Sequence, residues 1–477
     1  MNNHFREQAI DALADPQLRD NFRGAMDFLR AKRQSAFTDT EALKQLRALG
    51  HKIKANTLAR LPDLLEQLEQ NCLQNGIQVH WAETPEQACE VIHNIISAQN
   101  GQLAVKGKSM VSEEVGLNHY LEKRGIESLE SDMGEYIVQL ANETPSHIIM
   151  PAIHKSKEQI AHLFEDKIEG VDYTDNVDEL IGTGRQILRE KFSQADVGIS
   201  GVNFAVAETG TLCLVENEGN GRMCTTVPST HIAITGIEKV VATLDDIPPL
   251  LSLLTRSATG QNISTYFNMI SSPRKTGEKD GPQSVHLVLL DNGRSRMYQD
   301  ENLQQTLRCI RCGACMNHCP VYSRIGGHAY GTVYPGPIGQ VVMPQIDGLD
   351  KQGEMTEGCS LNGACGEVCP VEIPLPNLIR KLREQKSAKP DGHALTPGAG
   401  SQRKPKEAFA WSLWQTLYGQ PWLYRFVTKM ATRLRHASPR AIGGWTRYRT
   451  APKPAPKSLH ELMSQRAEAN QTDGASK

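Results

Sequence analysis

The run Cys309-Ile-Arg-Cys312-Gly-Ala-Cys315-Met-Asn-His-Cys319-Pro320-Val321 and its echo, Cys359-Ser-Leu-Asn362-Gly-Ala-Cys365-Gly-Glu-Val-Cys369-Pro370-Val371, decide how the chain is read. They superpose at an offset of 50 residues and hold seven of the eleven cysteines. Two-residue gaps turn three thiolates toward one small centre. The last cysteine of each run lies too far round the turn to close the same set and reaches the other run's centre, the spacing of a ferredoxin with two iron–sulfur clusters. The proline that follows turns the chain away and carries no N–H to satisfy.

On this reading Cys309, Cys312, Cys315 and Cys369 form a complete four-thiolate 4Fe-4S site. Cys319, Cys359 and Cys365 form a second, with Asn362 at its vacant corner. An amide is a poor ligand for a soft site. The second cluster is therefore expected either as 3Fe-4S or as 4Fe-4S with one labile, non-cysteine corner. Structural zinc usually arrives as two paired cysteines, not as three- and four-cysteine runs closed by Cys-Pro. A disulfide framework needs an oxidising compartment, to which nothing in the sequence directs the chain.

Composition sets the frame. A chain of 477 residues has room for two or three domains, and 39% hydrophobic with 22% charged residues is ordinary for a globular protein. A net charge of −2 gives no global pull toward nucleic acid, and no recognised nucleic-acid module is present. Neither a signal-peptide core nor an apolar run long enough to span a membrane is seen. A reducing cytoplasm is the expected location.

Working outward, residues 1–60 read as a helical segment. Its basic side chains (Arg19, Arg23, Arg30, Lys32, Arg33) suggest a solvated face. Residues 61–300 alternate helical stretches with short apolar runs at 77–81, 102–106, 146–150, 197–200, 212–215, 231–235, 240–241 and 285–290, predicting an α/β domain with a largely parallel sheet. Thr84-Pro85 predicts a capped helix start. Residues 301–386 are the two-cluster, ferredoxin-type helical domain, and 387–405 a Gly/Pro/Ser-rich linker. The segment 406–477 is basic and aromatic with a disordered end. From Arg403 to Arg449 there are ten Lys and Arg against one acid, Glu407, and four of the five tryptophans: Trp411, Trp414, Trp422 and Trp445. Such a segment suits docking to a partner or to an anionic membrane surface, which opens a peripheral place at the inner face of the membrane. Packing onto the chain's own body is the alternative.

Within the α/β region, Lys106-Gly-Lys-Ser109 ends like a phosphate loop, but five residues, not four, separate Gly107 from Gly101. The polar stretches 203–211 and 216–222 lie between short apolar strands, and ligands of open α/β sheets bind beyond strand ends. Glu208, Asn217, Glu218, Arg222 and His231 are therefore candidate lining residues of a small-molecule pocket; the competing reading bonds the Asn and Glu side chains to turn backbone. Cys72, Cys89, Cys213 and Cys224 lack ligand spacing and read as buried thiols. His328, Tyr330 and Tyr334, between the cysteine runs, face a docked partner or shield a cluster from water.

Almost the whole chain resembles the lactate-utilisation protein B family, the iron–sulfur subunit of a three-protein bacterial system that oxidises L-lactate. The likeness runs through Lys106-Gly-Lys-Ser-Met-Val-Ser-Glu-Glu114, Gly134-Glu-Tyr-Ile-Val-Gln139, Asn203-Phe-Ala-Val-Ala-Glu-Thr-Gly210, Asn217-Glu-Gly-Asn220, Cys309-Ile-Arg-Cys312 and Gly326-Gly-His-Ala-Tyr-Gly331. It implies that residues 61–300 fold like CoA-transferases and sugar-phosphate isomerases. It also implies two companion subunits, one of them cysteine-rich. In the family's second run a cysteine can stand at the place of Asn362 and a serine at that of Cys359, so this chain's ligand set there departs from the pattern.

Two clusters in one domain make a one-electron relay, which leads to an electron-transfer subunit of an L-lactate-oxidising complex. Two alternatives stand beside it. The α/β domain could itself bind and oxidise the hydroxy acid, with Arg222 and His231 as carboxylate clamp and base, or the chain could be a cluster-bearing scaffold or sensor without turnover.

Overall fold

The computed structural model describes residues 5–389, 394–437, 439, 441, 446, 449–451 and 453–474. They fall into two compact units, Met1–Gln402 and Arg403–Lys477.

The first unit is built on a six-stranded sheet. Its strands are β1 (Gln78–Ala82), β2 (Leu103–Lys106), β3 (Glu127–Glu130), β4 (Val197–Gly201), β7 (Thr230–Gly236) and β10 (Ser284–Leu290), in the order β1-β10-β7-β4-β2-β3. Every pairing is parallel. The central strands β2, β4, β7 and β10 are near-continuous apolar runs, buried along almost their whole length, as a parallel sheet covered on both faces requires. A smaller sheet, ordered β8-β5-β6-β9, is formed by β5 (Phe204–Val206), β6 (Thr211–Glu216), β8 (Val240–Val241) and β9 (Tyr266–Ile270). The helix Pro85–Ser97 starts where the sequence says it should: the Thr84 side chain accepts the Gln87 N–H at 3.3 Å.

One expected strand is absent. Residues 146–150 form a tight loop, closed by the Ser146 N–H to the Pro151 carbonyl at 3.0 Å. His147 Nδ1 accepts the N–H groups of Ile149 and Met150 (3.0 and 3.2 Å), taking donors that a ladder would need. Conversely β3, β5 and β9 are strands that the apolar runs do not announce.

The N-terminal helices Phe5–Ala14, Pro16–Ala36 and Thr40–Ala59 do not form a separate layer. Phe5, Phe22, Met26, Leu29 and Ile53 share one hydrophobic cluster with Cys315, Tyr322, Ile325 and Leu378 from the cysteine-bearing region and with Leu250 and Leu253 from the α/β region. Of the basic side chains expected on a solvated face, Arg19, Arg23 and Lys32 are exposed, whereas Arg30 and Arg33 turn inward. Arg30 donates to the Asn317 carbonyl at 2.6 Å and to Ser323 Oγ at 2.8 Å, and Arg33 donates to the Val368 carbonyl at 3.4 Å. These carbonyls end the short helical turns after the cysteines, where helix dipoles and orphan acceptors favour a cation.

The linker expected over 387–405 is only partly one. Leu349 N–H bonds the Pro397 carbonyl at 2.7 Å, and Gly400 N–H the Gln385 carbonyl at 2.9 Å, tying its second half to the helix Leu375–Ser387 and its surroundings.

The second unit contains helices Pro405–Gly419, Pro421–Arg433 and Leu459–Gly474. The last replaces the expected disorder. Ser458 and Glu461 cap it reciprocally, Ser458 N–H to Glu461 Oε2 at 2.8 Å and Glu461 N–H to Ser458 Oγ at 3.3 Å. Trp411, Trp414, Trp422 and Phe426 are exposed, at 59%, 49%, 69% and 59%. Trp445, Arg440 and Arg447 lie outside the described residues. No helix among the described residues is long and apolar enough to cross a membrane.

Candidate metal centre and the cavity beside it

The sequence repeat is also a structural repeat. The 3-10 turns Leu303–Arg308 and Gly353–Gly358 deliver Cys309 and Cys359, and the short helices Ala314–Asn317 and Ala364–Glu367 follow at the same offset. Between them Arg311 and Leu361 hold left-handed backbone (φ 62° and 56°), followed by Gly313 and Gly363 (φ 75° and 92°). A left-handed non-glycine residue costs free energy, so the turn is held by what surrounds it. Its purpose is visible in the hydrogen bonds. Arg311 N–H points at Cys309 Sγ (3.4 Å) and Leu361 N–H at Cys359 Sγ (3.3 Å). Tyr322 N–H and Ile373 N–H do the same for Cys319 (3.5 Å) and Cys369 (3.3 Å). Backbone donors aimed at sulfur stabilise thiolates.

The seven sulfurs fall into two groups. Cys309, Cys312, Cys315 and Cys369 line one small apolar cavity with Ile148, Ile338, Val371 and Leu375. Cys319, Cys359 and Cys365 lie close enough to act on one another: burial, then Cys359 and Cys319, push the Cys365 thiol up to about 12. Cys315 feels Cys365 as well as its own three neighbours, so the groups adjoin. Burial, opposed by backbone donors, leaves Cys369 pushed up to about 11, and burial with Cys369 alongside raises Cys312 further. Bare thiols this crowded and buried resist losing their protons, whereas a soft cationic centre would draw them off. The donor set therefore fits iron–sulfur clusters.

Asn362 stands at the Cys312 position of the repeat but is exposed, and its Oδ1 accepts the Ala364 N–H at 3.4 Å. The second group is thus open to solvent on that side, where Leu361 is 41% exposed. Elsewhere it is shielded. Tyr322 and Tyr330 are fully buried beside Cys319, and Phe5 packs on Tyr330 at 5.3 Å between ring centroids. Tyr330 and Tyr334 thus pack inside the protein and present no face to a partner. Gly327 has no alternative: a Cβ there would lie 1.8 Å from the Ser146 carbonyl oxygen.

The α/β region grips the cysteine turns through buried polar contacts. Tyr322 OH donates to the Ser146 carbonyl at 2.6 Å, and His147 Nε2 meets Asn317 Oδ1 at 2.9 Å. A longer network joins Glu114, Arg294, Glu238, Tyr334 and Arg311. Arg294 holds Glu114 bidentately (2.8 Å each) and Glu238 through Nε (2.6 Å); Tyr334 OH donates to Glu114 (2.7 Å). Arg311 Nη2 reaches Glu238 at 3.4 Å while its guanidinium covers the Tyr334 ring at 4.3 Å. Burial alone would raise the Glu238 carboxyl, but Arg294, Arg311 and Lys239 outweigh it and hold it down at about 2.

Beside this network lies a cavity of about 490 Å³. It sits beyond the C-terminal ends of β2, β4 and β7, lined there by Gly107, Lys108 and Ser109, by Ser200 and Gly201, and by Lys239. Arg311 and Ile148 line both this cavity and the one shared by the four cysteines.

Only part of the expected pocket set is here. Asn217 and Glu218 line the cavity. Glu208 does not: it is exposed, and its Oε2 accepts the Leu244 N–H at 3.1 Å. Arg222 is also exposed and sits over the Tyr266 ring at 6.0 Å. His231 is fully buried within β7 and reaches the cavity only through Ser200, whose Oγ meets its Nε2 at 2.8 Å. Burial, with His286 alongside, pushes the His231 imidazole down to about 4, so it is neutral. Lys32, Lys108, Lys239 and Arg311, none of them expected in the pocket, supply its cations. Lys106 is buried away from the cavity between Glu113 (2.7 Å) and Glu130 (2.6 Å), which removes it from any phosphate role. Cys72, Cys89, Cys213 and Cys224 are buried, as expected of thiols without ligand spacing.

A parallel α/β domain carrying paired cysteine turns defines an iron–sulfur protein of the dicluster class. The comparisons agree. Residues 305–373 match the 4Fe-4S dicluster domain, 65–290 the LUD domain and 381–468 the C-terminal domain of lactate utilisation protein B. Lactate utilization protein B of Bacillus subtilis is 39% identical, covering 98% of this chain and 97% of its own. That of Oceanobacillus iheyensis is 40% identical over 99% and 98%. An Escherichia coli protein described as an uncharacterized electron transport protein, YkgF, is 42% identical over 80% of each chain. Among solved structures, a DUF162 family protein from Deinococcus radiodurans is 14% identical with a TM-score of 0.28, covering 48% of this chain and 98% of its own. The chain belongs to the lactate utilisation protein B family.

Proposed function

We propose that this chain is the electron-transfer subunit of a multi-protein complex that oxidises L-lactate to pyruvate. In this reading Cys309, Cys312, Cys315 and Cys369 ligate a 4Fe-4S cluster. Cys319, Cys359 and Cys365 hold a second cluster whose remaining corner, at Asn362, has no thiolate. The observation that carries the reading is the adjacency of the two thiol groups through Cys315, inside one core shielded by Tyr322 and Tyr330. Iron–sulfur clusters supply one-electron redox chemistry when bound. Oxidising a 2-hydroxy acid to a 2-keto acid releases two electrons and two protons, so two one-electron centres match one turnover.

The residues of this chain serve that role by holding potentials and excluding water. Backbone N–H groups of Arg311, Leu361, Tyr322 and Ile373 offset thiolate charge. Arg30, Arg33 and Arg47 bond the carbonyls of the ligand turns, Arg47 to that of Cys369 at 3.0 Å. Such donors and charges tune a cluster's potential beyond what its ligands set. The α/β domain is read as a relative of the CoA-transferase and sugar-phosphate isomerase folds, acting in a reducing cytoplasm. Two companion subunits, one cysteine-rich, accept or deliver the electrons, and the exposed tryptophans of the basic tail form a docking face for one of them, Trp and Arg being the residues that anchor interfaces.

The test is anaerobic reduction followed by visible absorbance and EPR. With both companions present, L-lactate should reduce the clusters of this chain. Reduction of the isolated chain by L-lactate would favour oxidation within its own α/β domain. Electron flow that persists in a Cys312→Ala variant lacking the first cluster would leave only a scaffold or sensor.

A further inference from the structure

The cavity beyond β2, β4 and β7 has a built cationic corner. Lys239 ends the short turn Ile237–Lys239 that follows β7 and is only 6% exposed, and its Nζ makes no hydrogen bond or ion pair with the described residues. Arg311 stands near it and acts on its charge, and Arg311 Nη1 is buried without a hydrogen-bond partner. Glu238 is the carboxylate these two desolvated cations share, and it is already held by Arg294, so a free guanidinium nitrogen and a buried ammonium remain for a further anion to join. Among the described residues, four basic side chains (Lys32, Lys108, Lys239, Arg311) and three acidic ones (Asp132, Glu216, Glu218) line the cavity. That surplus of one positive charge suits a monoanion better than a dianion. The walls between are largely apolar, and the volume lies within the range of small-molecule sites.

We propose that this cavity binds a small organic carboxylate, its carboxylate held between Lys239 Nζ and the Arg311 guanidinium and its body against Met110, Val202 and Leu254. The free Nη1 of Arg311 can donate to a carboxylate oxygen, and the lysine adds a point charge. Because Arg311 lies between Cys309 and Cys312 and lines the thiol cavity as well, the ligand sits one side chain from the first cysteine group. The proposal deepens the electron-transfer reading by giving the oxidisable acid, or its keto product, a place on this chain. It rests on that reading only in the choice of acid.

The experiment is calorimetric titration of the full, cluster-loaded chain with L-lactate, pyruvate and, as comparator, inorganic phosphate. One-site binding of lactate or pyruvate is expected, at least tenfold weaker in Lys239→Met, restored in Lys239→Arg, and without comparable binding of phosphate. Absence of carboxylate binding, binding indifferent to Lys239→Met, or equal binding of phosphate overturns the proposal. Should Lys239→Met fail to load iron, Thr259→Trp, which fills part of the cavity without removing Lys239 or Arg311, decides. Loss of binding at unchanged iron content supports the site; unchanged binding overturns it. The two readings fail separately: binding with clusters that never exchange electrons sinks the relay alone, and reducible clusters without binding sink the site alone.

Discussion

At the scale of single residues, charge placed against the cysteine turns is the lever this protein uses. Arg47 donates to the carbonyl of Cys369 itself. Removing that positive charge should destabilise the reduced, more negative state. Arg47→Ala is therefore expected to lower the midpoint potential of the first cluster by roughly tens of millivolts without loss of iron, as read by redox titration. An unchanged potential would mean that the guanidinium only braces the turn. The grouping of the seven cysteines was legible because it follows from short gaps repeated at an offset of 50 residues. Arg30, Arg33 and Arg47 were not. Their partners lie about three hundred residues further along the chain, and nothing in a basic amphipathic helix distinguishes an arginine in water from one capping a distant carbonyl. The same holds for the pocket. Strand-end reasoning pointed to the right loops, but which side chains turn inward is set by local bonding that pattern does not carry. Glu208 is held by the Leu244 N–H, and His231 lies behind Ser200.

At the scale of elements, the loop 146–150 is the piece that joins the α/β domain to the cysteine turns. Its apolar residues imitate a strand, but the His147 ring takes two of its backbone donors and the Pro151 carbonyl takes a third. Gly327 packs against the Ser146 carbonyl with no room for a Cβ. Gly327→Ala should cost about 3 kcal/mol through displaced backbone, seen as a lower melting temperature and faster loss of cluster absorbance. A neutral substitution would show that the loop yields easily. The tail helices Pro405–Gly419 and Pro421–Arg433 have their own prediction. Replacing Trp422 and Phe426 together by Ala should weaken assembly with the companion subunits at least tenfold at constant iron content, measured by co-purification and analytical ultracentrifugation. Undiminished assembly, with binding instead to vesicles of anionic phospholipid, would assign the face to a membrane.

At the scale of the molecule, the α/β and cysteine-bearing regions share a core and a buried ionic network, so they behave as one body. Arg294 sits at its centre, fully buried between Glu114 and Glu238. Arg294→Met strands two buried carboxylates and should cost about 3–5 kcal/mol in urea unfolding, with part recovered in the Glu114→Gln, Arg294→Met double variant. Sequence pattern anticipated the parallel sheet and the cysteine domain as neighbours. It did not anticipate their fusion, because a core assembled from Phe22, Leu250, Tyr322 and Leu378 is a tertiary fact with no local signature.

The central claim is that seven cysteines hold two clusters, one complete and one lacking a thiolate at Asn362. EPR with iron and sulfide analysis of the anaerobically purified chain, alone and as Asn362→Cys, tests it most directly. A four-iron signal is expected on reduction in both proteins. The wild type alone should show a three-iron or labile-site signal, converted to an ordinary second four-iron cluster by the new thiolate. Two ordinary four-iron clusters in both proteins would contradict the assignment of Asn362, and an iron-free chain after anaerobic handling and reconstitution would contradict the whole account.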